Sequence, residues 1–477
     1  MLRALMIVTA AGILHAQAWK PDIPKTWDDE AVHSLELPLA GLGKPATHVS
    51  SDYYYGIPIR KIYKTYPLES PGKEPAAYLE WLRQQEPEVV FDPAKLKTEA
   101  DWIRAGQLVW ESVVANTTPV HTPRSDLLRG GQRYLIRKKG VVETGFATCE
   151  ECHTRYMPDG ATIVGAQGKF FNPALIRRVR AQMAAAGEDA LKQRRLRGFG
   201  NNTVPWLSPD PGERAKRLSL EEEAAVTEAL VSGTFPRPGT SSLFPPVVPD
   251  LIGIRERKYF DATGLVRHRS IGDLMRYAAL VTGMEALAHY NGFRPYGELP
   301  EPSTLERFSD EQLYALALYV YSLKPPENPN QFDAVAARGQ KVFQREGCAG
   351  CHTPPLYTNN TLTPVEGFKV PEEHKKKLAI LPVVVGTDPR LALQTRKGTG
   401  YYRVPSLQGV WYRGPFEHNG SVATLEDWFD PNRLRDDYVP TGFKGAGVKT
   451  RAVNGHEFGL KLAPDDKRAL IGFLKTL

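Results

Sequence analysis

All four cysteines of this 477-residue chain stand in two copies of one pattern, Cys-x-x-Cys-His. The copies are Cys149-Glu150-Glu151-Cys152-His153 and Cys348-Ala349-Gly350-Cys351-His352. In this pattern two thiols add to the vinyl groups of a haem, and the adjacent imidazole ligates the iron from one face. Other uses of the cysteines explain less. Zinc-ribbon pairs lie close in sequence, whereas the two motif histidines are 199 residues apart. A thioredoxin-like site needs a βαβ context that neither motif has. Two disulfides would leave the His after each pair without a reason. The reading is two covalently bound haem c groups, with His153 and His352 as axial ligands and an electron-handling task.

The N-terminus fits that chemistry. Arg3 precedes an apolar run from Ala4 to Leu14, and Ala16-Gln17-Ala18 makes a small-x-small cleavage site. The run is too short to span a bilayer and reads as a secretory signal over residues 1–18. An uncleaved anchor is the other use of such a run. Export to the periplasm or beyond is expected, since bacterial haem c is attached outside the cytoplasm. No later segment is apolar enough to cross a membrane.

The chain is long enough for two or three domains with cores of their own. Its formal charge of +7 would be offset in part by haem propionates, so it makes no case for nucleic acid. A redox partner protein is expected instead. With 39 prolines, 41 glycines and 10% aromatic residues, long ordered connections are expected rather than disorder.

The elements that must hold the motifs repeat. A helical pattern from Glu99 to Ser112 leads toward the first motif, and Ala334–Phe343 lies just ahead of the second. Ser309-Asp310-Glu311-Gln312 caps a helix running to Lys324, and Ala463-Pro464-Asp465-Asp466 caps one running to Leu477. Each unit thus reads as helix, motif, long irregular stretch and closing helix. The run Lys324–Asn330, rich in proline, is the linker. The expected fold is mainly α. An irregular, aromatic N-terminal extension (19–100) wraps the rest. A first cytochrome c-type domain (101–330) carries a large insertion, and a second covers 331–477. The insertion holds a basic helical stretch over 172–197 that reads as a solvated face, a Pro-rich apolar run (235–254) and a helix from Ile271 toward His289.

Tyr402-Arg403-Val404-Pro405-Ser406-Leu407, followed by Gly414-Pro415-Phe416-Glu417-His418-Asn419-Gly420-Ser421-Val422-Ala423-Thr424-Leu425, resembles the segment after the second haem in bacterial di-haem cytochrome c peroxidases and MauG-type proteins. With both motifs, the resemblance covers about residues 100–477. It departs from that group in three places. There is no His between His153 and His268, where a peroxidase distal His is expected. The inter-haem Trp-Asp-Gly-Arg segment is missing. No Met follows Met284. The layout is more similar to the rubber-oxygenase branch, in which a His near the C-terminus ligates the second haem and the first haem keeps an open face. The resemblance implies that role for His456, within Asn454-Gly455-His456-Glu457-Phe458.

The other histidines of the second unit read differently. His374 lies in a charged run taken as a solvated face, and His418 matches a position near the haem but off the iron. A bis-His haem would have a lower reduction potential than a Met-ligated one and would suit electron relay. His268, His289, Met275 and Met284 are the inventory opposite His153. The two methionines read as core, and His268 could equally bind a propionate, so the first iron is expected to be open. The expected activity is that of a haem-dependent oxidoreductase using peroxide or dioxygen. A plain di-haem electron carrier is the alternative, and the long insertion between His153 and Ser309 favours the enzyme.

Overall fold

The computed structural model describes residues 19–67, 75–120, 132–169, 181, 184–189, 203–236, 243–282 and 287–477. The signal segment (1–18), the arginines and lysine of the basic stretch and Met284 lie outside these residues. Among the described residues no helix is long and apolar enough to cross a membrane.

Two helix pairs frame the molecule. Helix α1 (Glu99–Trp110) starts at a capping box in which Thr98 and Asp101 each bond the other's backbone N–H. Its buried stripe is Trp102, Ala105, Gly106, Val109 and Trp110. It crosses α3 (Asp310–Ser322), which begins at a Ser309–Gln312 capping box. A second pair repeats the arrangement. Helix α4 (Ala334–Arg345), capped by Asp333, packs on α5 (Pro464–Lys475), which has Pro at its start and Asp465 and Asp466 in its first turn. In both pairs glycine sets the distance. A Cβ on Gly106 would fall on the backbone carbonyl of Ala315 and meet Tyr319, and one on Gly339 would fall on the carbonyl of Ala469 and meet Phe473. Each acceptor alanine stands four residues before its aromatic. The two crossings are one design used twice, as the sequence reading expects. The linker 324–330 is non-helical.

Helix α2 (Ile271–Val281) precedes α3 in the chain and packs on it. It ends earlier than expected, and His289 sits instead on a short strand paired with Thr47. The segment from Trp27 to Ile62 shares one core with α1, α2 and α3, through Trp27, Leu35, Tyr54, Leu274 and Leu313 among others. It is built into the first unit rather than lying over it.

About 34% of the structure is helical and 12% is strand, so the mainly α expectation holds coarsely. A four-stranded antiparallel sheet is the main departure. In chain order its strands are β1 (Thr65–Pro67), β2 (Val113–Pro119), β3 (Gln132–Lys138) and β4 (Val141–Ala147), and in space the order is β1-β3-β4-β2. Tyr134 and Ile136 on β3 enter an apolar cluster with Val142 and Leu82, while Arg133 and Arg137 between them reach carboxylates. Leu135 is buried as well, so an unbroken aromatic and aliphatic run makes this strand, in a stretch to which the sequence reading assigned no element.

Candidate functional site

The first motif is delivered by the sheet. Strand β4 runs straight into the short helix Thr148–Cys152. Arg133 makes a forked pair with Glu150 inside the motif (2.8 and 3.0 Å) and reaches Glu111 at the end of α1 (3.5 Å). This fork ties sheet, motif and α1 together. The second motif follows α4 through Gly347, whose φ of +76° permits the turn that starts Cys348–Gly350. In both motifs the His N–H returns to the carbonyl of the first Cys at 2.9 Å.

Each motif histidine is held by a proline carbonyl. Nδ1 of His153 lies 3.0 Å from the oxygen of Pro249, and Nδ1 of His352 lies 3.2 Å from that of Pro405 and 3.1 Å from that of Tyr357. A carbonyl can only accept, so Nδ1 carries the proton and Nε2 is left as the basic nitrogen. This is how an imidazole is prepared for a metal. Burial, then the nearby His456, lowers the His352 pKa to about 4, so the ring is neutral at neutral pH.

The two proline segments are copies. Val248-Pro249-Asp250-Leu251-Ile252-Gly253 matches Val404-Pro405-Ser406-Leu407-Gln408-Gly409. The third residue of each accepts from the N–H two positions on, with Asp250 bonding Ile252 and Ser406 bonding Gln408. The glycines take φ values of +71° and +72°. An arginine four residues later folds back on the copy's own carbonyls, Arg257 on Asp250 and Ile252, and Arg413 on Ser406 and Gln408. The match continues. Phe260 pairs with Val266 as Phe416 pairs with Val422, and Asp261 and Glu417 share a left-handed φ of 63° and 64°. This duplication had a sequence signal, the repeated Val-Pro-x-Leu-x-Gly, which the reading of 235–254 as a Pro-rich run passed over.

A mostly apolar cavity of about 280 Å³ opens beside the second motif. Cys348, Cys351 and His352 lie on one wall, and His456 also lines it. The ring centroids of His352 and His456 are 6.2 Å apart. Two imidazole–metal bonds of about 2 Å each, plus the half-width of each ring, span such a gap. His456 is positioned by backbone strain and by one arginine. It has φ +48° and follows Gly455 (φ +86°), whose missing Cβ lets the loop press on Gly386 and Thr387. Arg433, fully buried, donates to the carbonyls of Trp428 (2.9 Å), Val453 (2.5 Å), Gly455 (2.8 Å) and His456 (2.9 Å). Nothing in the sequence singles out this arginine.

The cavity fits a haem. Its walls are apolar, its thiols and imidazoles converge, and Arg257, Arg403 and Arg413 supply positive charge. Burial, then Arg257 and Arg413, lowers the Arg403 pKa to about 9. Cations that depress one another favour an anion among them, and haem propionates are such anions. Pro249, which holds His153, also lines this cavity, so the two sites share a wall.

Of the other residues, His374 and His268 depart from expectation, whereas His418 and Met275 follow it. His374 is buried, with Nδ1 2.9 Å from the Tyr401 hydroxyl, and is not part of a solvated face. One face of its short helix turns inward while the lysines stay out. His418 lines the cavity but is occupied, stacked on Tyr402 (4.3 Å) and 3.2 Å from Glu417. His268 has both nitrogens engaged, by the Arg257 carbonyl and the Tyr321 hydroxyl, which leaves neither for a propionate. Met275 is fully buried in the core.

No family model matches the sequence. Three curated proteins are similar to parts of it. The uncharacterized protein y4iJ of Sinorhizobium fredii is 36% identical over 16% of this chain and 18% of its own length. Cytochrome-c peroxidase IdrP1 of a Pseudomonas strain is 30% identical, covering 31% of this chain and 41% of its own. Cytochrome-c peroxidase IdrP2 of Denitromonas iodatirespirans is 25% identical, covering 29% and 38%. The chain therefore spans less than half the length of each of these relatives. Among solved structures, hydrazine synthase of Kuenenia stuttgartiensis overlaps 59% of this chain and 85% of its own at 18% identity and a TM-score of 0.32. A MauG-like protein associated with microbial copper homeostasis overlaps 61% and 88% at 16% identity and a TM-score of 0.30. Superpositions this loose carry no argument. Over part of its length, and with its paired Cys-x-x-Cys-His motifs, the chain is similar to cytochrome-c peroxidases, consistent with the di-haem peroxidase superfamily.

Proposed function

We propose that this chain is an exported di-haem c-type cytochrome acting as an oxidoreductase. Cys149 and Cys152 hold a first haem, ligated by His153, whose other face is open to peroxide or dioxygen. Cys348 and Cys351 hold a second haem, closed between His352 and His456, that relays electrons from a redox partner protein. When bound, haem supplies one-electron chemistry at iron and, where a coordination position is free, a place for an oxygen species.

The single observation that carries the reading is the facing pair His352 and His456. His352 is buried and His456 half-buried, desolvation lowers both pKa values, and a neutral imidazole is the form that ligates a metal. Helix register supports an open first iron. His456 lies thirteen residues before Ala469, and the same step back from Ala315, the matching crossing alanine, arrives at Pro302, which has no ligating atom. The shared wall at Pro249 supports electron exchange between the sites. A His facing the second motif, rather than Met or Tyr, also agrees with the rubber-oxygenase layout, and the peroxidase relatives favour peroxide as oxidant.

Carbon monoxide tests the reading. The fully reduced protein should bind one molecule per chain, with a Soret shift from one of two haems. No binding would leave a di-haem electron carrier.

A further inference from the structure

Outside the two haem sites, one pair of side chains is arranged for chemistry that packing does not require. Nε2 of His268 lies 2.5 Å from the hydroxyl of Tyr321, and Nδ1 lies 2.7 Å from the carbonyl of Arg257. The carbonyl can only accept, so Nδ1 carries the proton. Nε2 then offers its lone pair, and the Tyr321 hydroxyl donates to it. The tautomer is fixed by the backbone, and the phenol proton has one short route out.

The surroundings preserve this arrangement. Phe260 covers the His268 ring at 4.5 Å, and the Arg255 guanidinium sits 5.6 Å above the Tyr321 ring. Burial lowers the His268 pKa, which keeps the ring neutral and Nε2 unprotonated at neutral pH. Burial, more than the opposing Arg255 charge, raises the Tyr321 pKa, so the phenol keeps its proton at neutral pH.

The pair lies close in the chain to groups that pack against each site. Tyr321 lies on α3 two residues beyond Tyr319, whose ring packs on Trp110 at 5.7 Å; Trp110 in turn lies 6.2 Å from the ring of His153. On the other side, Arg257 holds His268 by its carbonyl while its side chain lines the second cavity.

We propose that Tyr321 is a redox-active tyrosine with His268 as its proton acceptor. One electron leaves the phenol as its proton moves to Nε2 of His268, giving a neutral phenoxyl radical and an imidazolium. The electron is taken by the oxidising equivalent that hydrogen peroxide delivers to the haem centres. Reduction of the radical returns the proton to the oxygen. An oxidising equivalent is thereby stored on the protein instead of being lost to solvent. This rests on the di-haem reading for its oxidant, although the pair itself does not.

The test is freeze-quench EPR on the full-length haem-loaded protein with two oxidants, hydrogen peroxide and a photogenerated ruthenium(III) polypyridyl. Ring-deuterated tyrosine labelling assigns the radical. The expected result is a tyrosyl signal with both oxidants that disappears in Tyr321→Phe, a change that keeps the ring. In His268→Gln, which can accept the hydrogen bond but not the proton, the signal should form more slowly and lose its slowing in D2O. A tyrosyl signal from the ruthenium oxidant that survives unchanged in Tyr321→Phe would overturn the proposal. A Tyr321 signal with ruthenium but none with peroxide would uphold the pair and sink the peroxide-reactive first haem.

Discussion

The carbonyl oxygen of Pro249 lies 3.0 Å from Nδ1 of His153, and Pro249 also lines the cavity that holds His352 and His456. One backbone turn therefore fixes the imidazole of the first site and walls the second. With its copy at Pro405, it gives the His of each Cys-x-x-Cys-His motif the same proline-carbonyl support.

The attachment chemistry is separable by site. Cys149→Ser with Cys152→Ser should remove one haem mass and leave the other, and Cys348→Ser with Cys351→Ser should do the converse. Intact-mass measurement after periplasmic expression reads this directly. Wild-type protein carrying no haem, or zinc in its place, would end the account.

The helix crossings make a stability prediction with an internal control. Gly106→Ala and Gly339→Ala each push a methyl onto a backbone carbonyl, and each should cost about 3 kcal/mol as the helices separate. Gly472 lies on α5 with only a methyl of Val335 nearby, at 3.4 Å, so Gly472→Ala should instead gain about 0.5–1 kcal/mol of helix stability. Denaturant unfolding of the three variants, with haem retained, gives both signs.

These glycines show what could be read in advance. The haem motifs, the capped helices and the linker are local patterns, because a thiol pair or a capping box is complete within five residues. His456 was singled out as well, through resemblance and the lack of any later Met, and the fold brings it to the cavity beside the second motif. What escaped depends on distant partners. The role of Arg433 follows from four carbonyls brought to it by the loop that ends at His456. The burial of His374 follows from Tyr401, reached only once the chain has turned back. The sheet and the repeated Val-Pro-x-Leu-x-Gly did leave signals, an apolar run at Tyr134, Leu135 and Ile136 and a direct repeat. Both stayed hidden while only helical periods were sought.

Asp273 supplies a pH prediction. Its carboxylate is buried between Arg269 and Arg276. Burial alone would raise its pKa, but hydrogen bonds and charge from Arg269, with Arg276 adding to them, carry it below the usual value. A depressed carboxylate pKa gives stability that is present above the unfolded pKa, about 3.9, and lost as pH falls toward the folded one. Asp273→Asn should therefore cost about 3 kcal/mol at pH 7, leaving a buried arginine short of its partner. The gap from wild type should close below about pH 4. Thermal unfolding across pH 3–7 checks it, and a gap independent of pH would refute it.

Arg433 should matter for ligation more than for attachment. Arg433→Lys replaces a planar fork with a single ammonium that cannot serve four carbonyls. Both haems should remain on the chain by mass, while part of the low-spin signal becomes high-spin as His456 loses its hold. An unchanged spectrum would mean that the Gly455–His456 turn stands without the arginine.

The central claim is that one iron is closed by His456 and the other is open, and EPR of the ferric protein tests it most directly. The account predicts one low-spin and one high-spin haem in the wild-type protein, and two high-spin haems in His456→Ala with both groups still attached. Two low-spin haems in the wild type, or a low-spin signal that survives in His456→Ala, would contradict it.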